Sequence, residues 1–390
     1  MFRRLLQLRS RSRRLVPVCA AALVLLSIAW PAIARAATPA LERLDPTAEY
    51  GDWAPPGVEL EFTPLERRLF QAADEGRSDW RWLLAAALAA GGERDESRVE
   101  RAVCEAEAWG ERLQAQLARS GEGARASADI SGEGARASAD ARQRAIAVLE
   151  FLHEHVLRGD YRPDASGVSQ ALAGGGYNCV GATVLFCCLA ECCGLPASAA
   201  ESPGHVFCRV FGASGEIVVE TTCRDWFRAA NPRDSARRTG PARELSLRGL
   251  AALVYYNAGV DLLAKRRFDK ALGANLKALR LDPANLAARS NFLAGLNNWA
   301  LEFNAQRDFA AAVRLLEHGL RIAPDHRPFR VNYVAVHQRW VEALLESDRY
   351  ELALDRLAMA RGKLPEAAYF ESAAIDIQRR FAAQLERADR

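Results

Sequence analysis

Apolar and polar positions alternate in long blocks along this chain, and the first two blocks are the most unequal. Residues 1–14 hold Arg3, Arg4, Arg9, Arg11, Arg13 and Arg14 without an acid, and an apolar run extends from Leu15 to Ala34. Ala34-Arg35-Ala36 then places small residues where a signal peptidase cuts. A basic leader, an apolar stretch and such a site predict a secretory signal peptide over 1–36. Left uncleaved, about 20 apolar residues are enough to anchor the chain in a bilayer. In both cases the arginines stay in the cytoplasm and the body is exported to the periplasm or cell envelope, at the inner membrane if the segment is retained.

Residues 41–60 are rich in Pro, Gly and acid and predict a loop. Thr63-Pro64-Leu65-Glu66 supplies an N-cap, a first-turn proline and an acid, so a helix starts there. Helical spacing continues through Trp80–Ala90 and Glu96–Arg119, which defines a helical N-terminal region over 37–119. The sequence SGEGARASAD then occurs twice, at 120–129 and 131–140. Two glycines per copy and no apolar stripe predict a flexible duplicated insert over 120–141. A helix is expected to resume at Arg142 and to run to about Leu157.

Three further patterns follow. From Val180 to Ala190 there is no charge on any face, which predicts a helix buried all round and closed by Gly194-Leu195-Pro196. His205–Val210 and Glu216–Thr222, rich in β-branched and aromatic residues and separated by Gly212–Gly215, predict a β-hairpin. From 249 onward the chain repeats itself every 41 residues. Ala258, Trp299 and Trp340 form one column; Phe268, Phe309 and Tyr350 a second; Ala278, Gly319 and Ala360 a third; Pro283, Pro324 and Pro365 a fourth. Large residues facing small ones predict a stack of helical hairpins. Phe381 and Leu385 keep the phase of Trp340 and Leu344, so a closing helix is expected over 366–388.

Composition changes the picture in one respect. The whole chain carries 52 basic and 49 acidic residues, a net +3; removing 1–36 takes away seven arginines and no acid, leaving 45 against 49, a net −4. Nucleic-acid binding thereby loses its electrostatic support.

The chemistry concentrates between Cys179 and Glu220. Asn178 is an N-cap and puts Cys179 in the first helical turn, where free N–H groups and the helix dipole favour a thiolate. A hairpin pairing centred on the Gly212-Ala213 bond sets His205 directly opposite Glu220 on one face. Cysteine, imidazole and carboxylate then form a nucleophile, a general base and an orienting group. The bland readings are a small buried hydrophobe for Cys179, a solvent-facing strand histidine for His205 and a common strand-end acid for Glu220. Cys187, Cys188, Cys192, Cys193, Cys208 and Cys223 invite a metal or redox reading, yet only Cys188 and Cys192 share a helix face, so packing is the preferred role and no metal or cofactor is expected. A disulfide between the hairpin cysteines, Cys208 and Cys223, is open in an oxidising compartment. His153-Glu154-His155 places its histidines on different helical faces, as a surface feature.

These residues, N-C-x-x-x-T-x-L, C-G-L-P, P-G-H-V-F and V-E-T-T over about 80 positions, resemble the transglutaminase-like cysteine superfamily. The resemblance implies a papain-like core over 142–240 with Cys179, His205 and Glu220 as the triad, although the family usually has Asp at the third position. It implies a cysteine peptidase, an amidase or an acyltransferase, or an inactive scaffold. The columns over 245–390 resemble tetratricopeptide repeats, whose period is 34 residues; an extra seven residues, about two helical turns, lengthen the first helix of each hairpin. Such an array implies a protein or peptide partner, or a buttress for the core. The expected fold class is α+β and mostly helical, with a small transglutaminase-like α+β core and a C-terminal tetratricopeptide-like α-solenoid.

Overall fold

The computed structural model describes residues 54–55, 60–125, 133–212, 215–228 and 242–388. The leader, the expected signal peptide or anchor over 1–36 and the hairpin turn at 213–214 lie outside the described residues. All described residues belong to one compact unit, Asp45–Arg390. It is mostly helical, with one small antiparallel sheet.

The helices before the sheet are α1 (Pro64–Asp74), α2 (Trp80–Ala90), α3 (Glu96–Arg125), α4 (Glu133–Phe151), α5 (Val168–Leu172) and α6 (Cys179–Cys192). Helix α1 starts where the sequence predicts, on a capping box in which Thr63 and Glu66 exchange hydrogen bonds of 3.1 and 2.9 Å. The duplicated segment departs from expectation. Helix α3 runs on into the first copy and α4 begins within the second, so the flanks of the duplication are helical; only 126–132 lie outside the described residues. The Ala, Arg and Glu of the copies favour helix strongly enough to carry Gly121, Gly123 and Gly134, each costing about 1 kcal/mol. Helix α4 also ends differently, passing into a π-helical turn over Leu152–Val156.

The sheet has strand order β3-β2-β1-β4, built from β1 (Ala197–Ser202), β2 (His205–Gly212), β3 (Gly215–Val219) and β4 (Arg243–Leu245). Strands β1 and β4 carry no clear alternation in the sequence and were not expected. A two-residue turn, Pro203-Gly204, joins β1 to β2; Gly204 takes φ +77°, which the second central position of such a turn requires. Helix α6 packs on β1, β2, α2, α3 and α4, and every residue from Val180 to Ala190 is buried.

The rest of the chain alternates long and short helices: α7 (Leu247–Ala264), α8 (Phe268–Leu281), α9 (Leu286–Ala305), α10 (Phe309–Ile322), α11 (Arg327–Leu345), α12 (Tyr350–Lys363) and α13 (Ala368–Ala388). The second helices, α8, α10 and α12, have 14 residues each and begin 41 apart, whereas the first helices have 18 to 21. Each of the three hairpins turns on a residue in the left-handed region: Arg266 (φ 56°), Arg307 (φ 62°) and Asp348 (φ 55°), again 41 apart. The next N–H bonds back to Leu262, Phe303 and Leu344 at 2.9 Å, the six-to-one bond of a Schellman cap, here made without glycine.

Two of the repeat's columns turn out to touch one another. Trp299 stacks on Phe268 (6.4 Å), Trp340 on Phe309 (6.2 Å) and Phe381 on Tyr350 (5.2 Å), so each ring at the head of a short helix meets the following long helix. The closing helix α13 therefore makes the contact its phase predicts. At Gly319 a Cβ would lie 2.6 Å from the buried Phe329 ring, so only glycine fits there.

His337 on α11 is 2% exposed among Tyr333, Trp340 and Phe370, and neither ring nitrogen has a hydrogen-bond partner. Burial, with Arg356 nearby, pushes its pKa down from 6.5 to about 4.

Three outcomes follow for stability, measured by urea unfolding. Trp340→Ala lowers it by roughly 2–3 kcal/mol through lost ring packing. Asp348→Gly raises it by about 0.5–1 kcal/mol by relieving a left-handed non-glycine residue. His337 stays neutral in the folded chain, while the unfolded chain takes up a proton below its ordinary value. No penalty exists above pH 6.5, and one on the order of 3 kcal/mol accumulates as pH falls to about 4. His337→Phe should flatten that acid slope, and an unchanged slope would remove His337 as its source.

Candidate active site

Three elements bring the candidate residues together. Asn178 caps α6, its Oδ1 accepting from the Gly181 N–H at 2.9 Å, and Cys179 is the first residue of the helix. His205 is the first residue of β2, set immediately after the Pro203-Gly204 turn. Glu220 follows the end of β3.

The hairpin register differs from expectation by two residues. Cys208 pairs with Val219 and Gly212 with Gly215, so the ladder extended by one step sets Glu220 opposite Phe207, with His205 on the diagonal. A slip of two preserves the face, whereas a slip of one would have reversed it. The diagonal is longer than a direct pair, and glutamate's extra methylene spans it: His205 Nε2 lies 2.5 Å from Glu220 Oε2. The other carboxylate oxygen, Oε1, accepts from the Thr222 N–H (3.2 Å) and hydroxyl (2.7 Å).

With Nε2 engaged by Glu220, the His205 ring also interacts with the Cys179 side chain. That contact and the Glu220 bond raise the His205 pKa to about 10, against a smaller opposing effect of burial. Burial pushes the Glu220 carboxyl up, but its hydrogen bonds from His205 and Thr222 outweigh this and hold it below the ordinary range. Both shifts describe one ion pair, an imidazolium on a carboxylate at neutral pH.

A second layer fixes this arrangement. Thr221 is fully buried; its hydroxyl meets that of Thr183 on α6 at 2.9 Å, and its carbonyl meets His153 Nε2 at 3.0 Å. His153, on the π-helical turn, is therefore a half-buried buttress rather than the surface feature expected. Trp226 Nε1 donates to the Val218 carbonyl at 2.7 Å and holds the chain leaving β3. Neither Thr222 nor Tyr161, whose phenol is pushed up by burial and by the neighbouring Cys179 and Glu220, was picked out from the sequence. A hydroxyl two residues after an acid is a weak local signal for Thr222; no pattern points to Tyr161.

The remaining cysteines do not join the site. Cys208 Sγ lies 3.4 Å from Cys187 Sγ, so the strand cysteine faces α6 and not Cys223; the described cysteines are all free thiols. Burial pushes Cys192 up to about 12 and Cys193 to about 11, and drives Cys188 and Cys208 well above the ordinary value, which keeps all four protonated. Among the described residues no group of three or more His, Cys, Asp or Glu side chains is placed to hold a metal ion. Nor is any helix there long and apolar enough to cross a membrane. Two cavities, of about 780 and 1040 Å³, lie among α1–α3 and between α1, α2 and the α7–α8 hairpin; neither is lined by Cys179, His205 or Glu220.

No protein-family model matches the chain, and no curated protein or solved structure is found to be similar to it.

The ion pair is directly measurable. In Glu220→Gln the carboxylate charge is gone, so the His205 imidazolium should titrate well below the intact protein's value of about 10, read by NMR of the labelled ring. An unmoved titration would mean that Glu220 does not hold the proton on His205.

Proposed function

We propose that this is an exported cysteine-dependent enzyme acting on amide carbonyls, by hydrolysis or by transfer to an amine. In this reading a transglutaminase-like core is joined to a tetratricopeptide-like array. The observation that carries it is the His205–Glu220 hydrogen bond beside Cys179, at the start of a buried helix.

The geometry supports the following sequence. Sγ of Cys179, as the thiolate whose proton rests on His205, attacks the carbonyl carbon, and the π electrons move to oxygen. The N–H groups of Cys179 and Val180, which precede the one that Asn178 caps, face the developing charge. His205, held protonated by Glu220, gives its proton to the departing nitrogen as the C–N bond breaks, leaving a thioester. Water or an amine then attacks; His205 takes its proton, and the C–S bond breaks. The helical hairpins present a protein or peptide partner beside this site, and the N-terminal segment exports the chain or holds it at the membrane.

Iodoacetamide tests the first step with an internal control, because Cys104 is an exposed free thiol on the same chain. At mildly acidic pH Cys179 should alkylate about 10–100-fold faster than Cys104, through a thiolate paired with the imidazolium. His205→Ala should abolish that advantage and lower turnover by roughly 10²–10⁴. Equal rates at the two cysteines would favour a catalytically silent scaffold whose repeats are the working surface.

A further inference from the structure

Two thiols outside the site face one another across the helix–strand packing that unites it. Cys187 lies on α6, about two turns beyond Cys179, and Cys208 lies on β2, three residues beyond His205. Their Sγ atoms are 3.4 Å apart, and the two residues are 4% and 0% exposed. Both backbones are held in place. Cys208 pairs with Ala199 of β1 on one side and with Val219 of β3 on the other, and its sulfur meets α6. Cys187 stands in the stretch of α6 that is buried on every face. Neighbouring cysteines are directed elsewhere. Cys188 Sγ donates to the Trp80 carbonyl at 3.5 Å, and Cys192 packs so closely on α3 that a Cβ at Gly110 would lie 2.7 Å from its own. Sulfurs in a disulfide lie about 2 Å apart, so each of the pair has ~0.7 Å to move, a change that side-chain rotation supplies.

We propose that Cys187 and Cys208 form a disulfide as the chain folds, a covalent clamp between the helix that carries Cys179 and the strand that carries His205. The oxidant is a small or protein disulfide of an oxidising compartment. The clamp therefore rests on the reading of the chain as exported, and not on Cys179 being a nucleophile. One cysteine thiolate attacks the donor disulfide, whose S–S bond breaks and releases one thiol, leaving a mixed disulfide. The second cysteine thiolate attacks the protein sulfur of that mixed disulfide; the Cys187–Cys208 bond forms and the donor's second thiol departs. The pair loses two electrons and two protons, and the donor leaves as two thiols. Timing follows from burial. In the folded chain neither sulfur is open to a donor, and burial drives the Cys208 thiol well above its ordinary value, so exchange precedes closing of the core. Once the core has closed, the same burial shields the bond from reductants. The bond closes a loop of 21 positions and restricts the unfolded chain accordingly. Cys179, partly exposed at the start of α6, stays outside the clamp.

The test refolds the full chain from urea in two buffers, one with reduced and oxidised glutathione and one with a phosphine reductant, and then blocks the remaining thiols with N-ethylmaleimide. Glutathione supplies the oxidant, so the result does not depend on whether cells export the chain. Trypsin with a glutamate-directed protease releases Ser202–Arg209, in which Cys208 is the one cysteine. From the glutathione buffer this peptide should be joined to the one that holds Cys187, and fragmentation should place the bond at Cys187 rather than at Cys179 or Cys188. The oxidised sample should unfold at a temperature about 5–10 °C above the reduced one. Cys208 recovered with maleimide, or joined to any other cysteine, would overturn the proposal. A bond that leaves the unfolding temperature unchanged would overturn it as well, since it would clamp nothing. Failure of the export reading is seen separately, as chain retained in the cytoplasm on cell fractionation.

Discussion

Burial of α6 on every side is the constraint from which most of the structure follows. From Val180 to Ala190 the helix offers no polar face, and each large aliphatic or aromatic side chain left in water would forfeit about 1.5–3 kcal/mol. A single sheet or a single hairpin can cover only one side of such a helix. The chain therefore surrounds it with the α2–α4 helices, strands β1 and β2, and α7. This explains why the N-terminal helices, the sheet and the first repeat hairpin belong to one compact unit. It also fixes the site, because a helix packed all round can open to solvent only at its ends. The N-terminal end carries Asn178 and Cys179 with the outward-facing amides of the first turn.

The polar chain at that end is arranged so that each member has one task and one support. Glu220 reaches His205 on a diagonal, and Thr222 occupies the carboxylate oxygen that His205 does not use. Thr221 ties the same segment to α6 and to His153, so the acid cannot swing away without breaking bonds in the core. Glutamate in place of a shorter acid fits this register: the hairpin turns one residue later than a direct pairing needs, which shifts every partner by two, and the longer side chain makes up the distance.

These details mark the limit of what could be read in the chain. Helix ends with strong local chemistry, such as Thr63-Pro64 and Asn178, were legible because capping is decided within four residues. The hairpins were legible because a repeat declares itself several times, and even the closing helix was placed by phase. The ring contacts between columns were not, since the sequence shows which positions are alike and not which ones meet. Strands β1 and β4 were missed because Ala197–Ser202 and Arg243–Leu245 gain their conformation from pairing rather than propensity. The helical ends of the duplication were missed for the converse reason: its glycines weigh less than the alanines beside them. The bridge between Tyr161 and Tyr177 was invisible because its two residues lie sixteen positions apart in irregular segments.

The array is joined to the rest by charged contacts as well as by apolar packing. Glu66 on α1 is buried against Lys277 of α8 at 2.8 Å and accepts from the Tyr255 hydroxyl of α7 at 3.1 Å. Arg243 of β4 bonds at 2.8 Å to both Glu201 on β1 and Asp282 at the end of α8. A buried ion pair adds little net stability but penalises every arrangement that separates its members, so these contacts set the register of the first hairpin more than they strengthen it. Ser166 and Asp261 extend the same linkage to the loop that carries Tyr161. Anything that bound the α7–α8 hairpin and shifted α7 would therefore pull on the Ser166–Asp261 contact and on the loop that pairs with Tyr177, two residues before Cys179. In the proposed enzyme, the array and the thiol site are mechanically continuous.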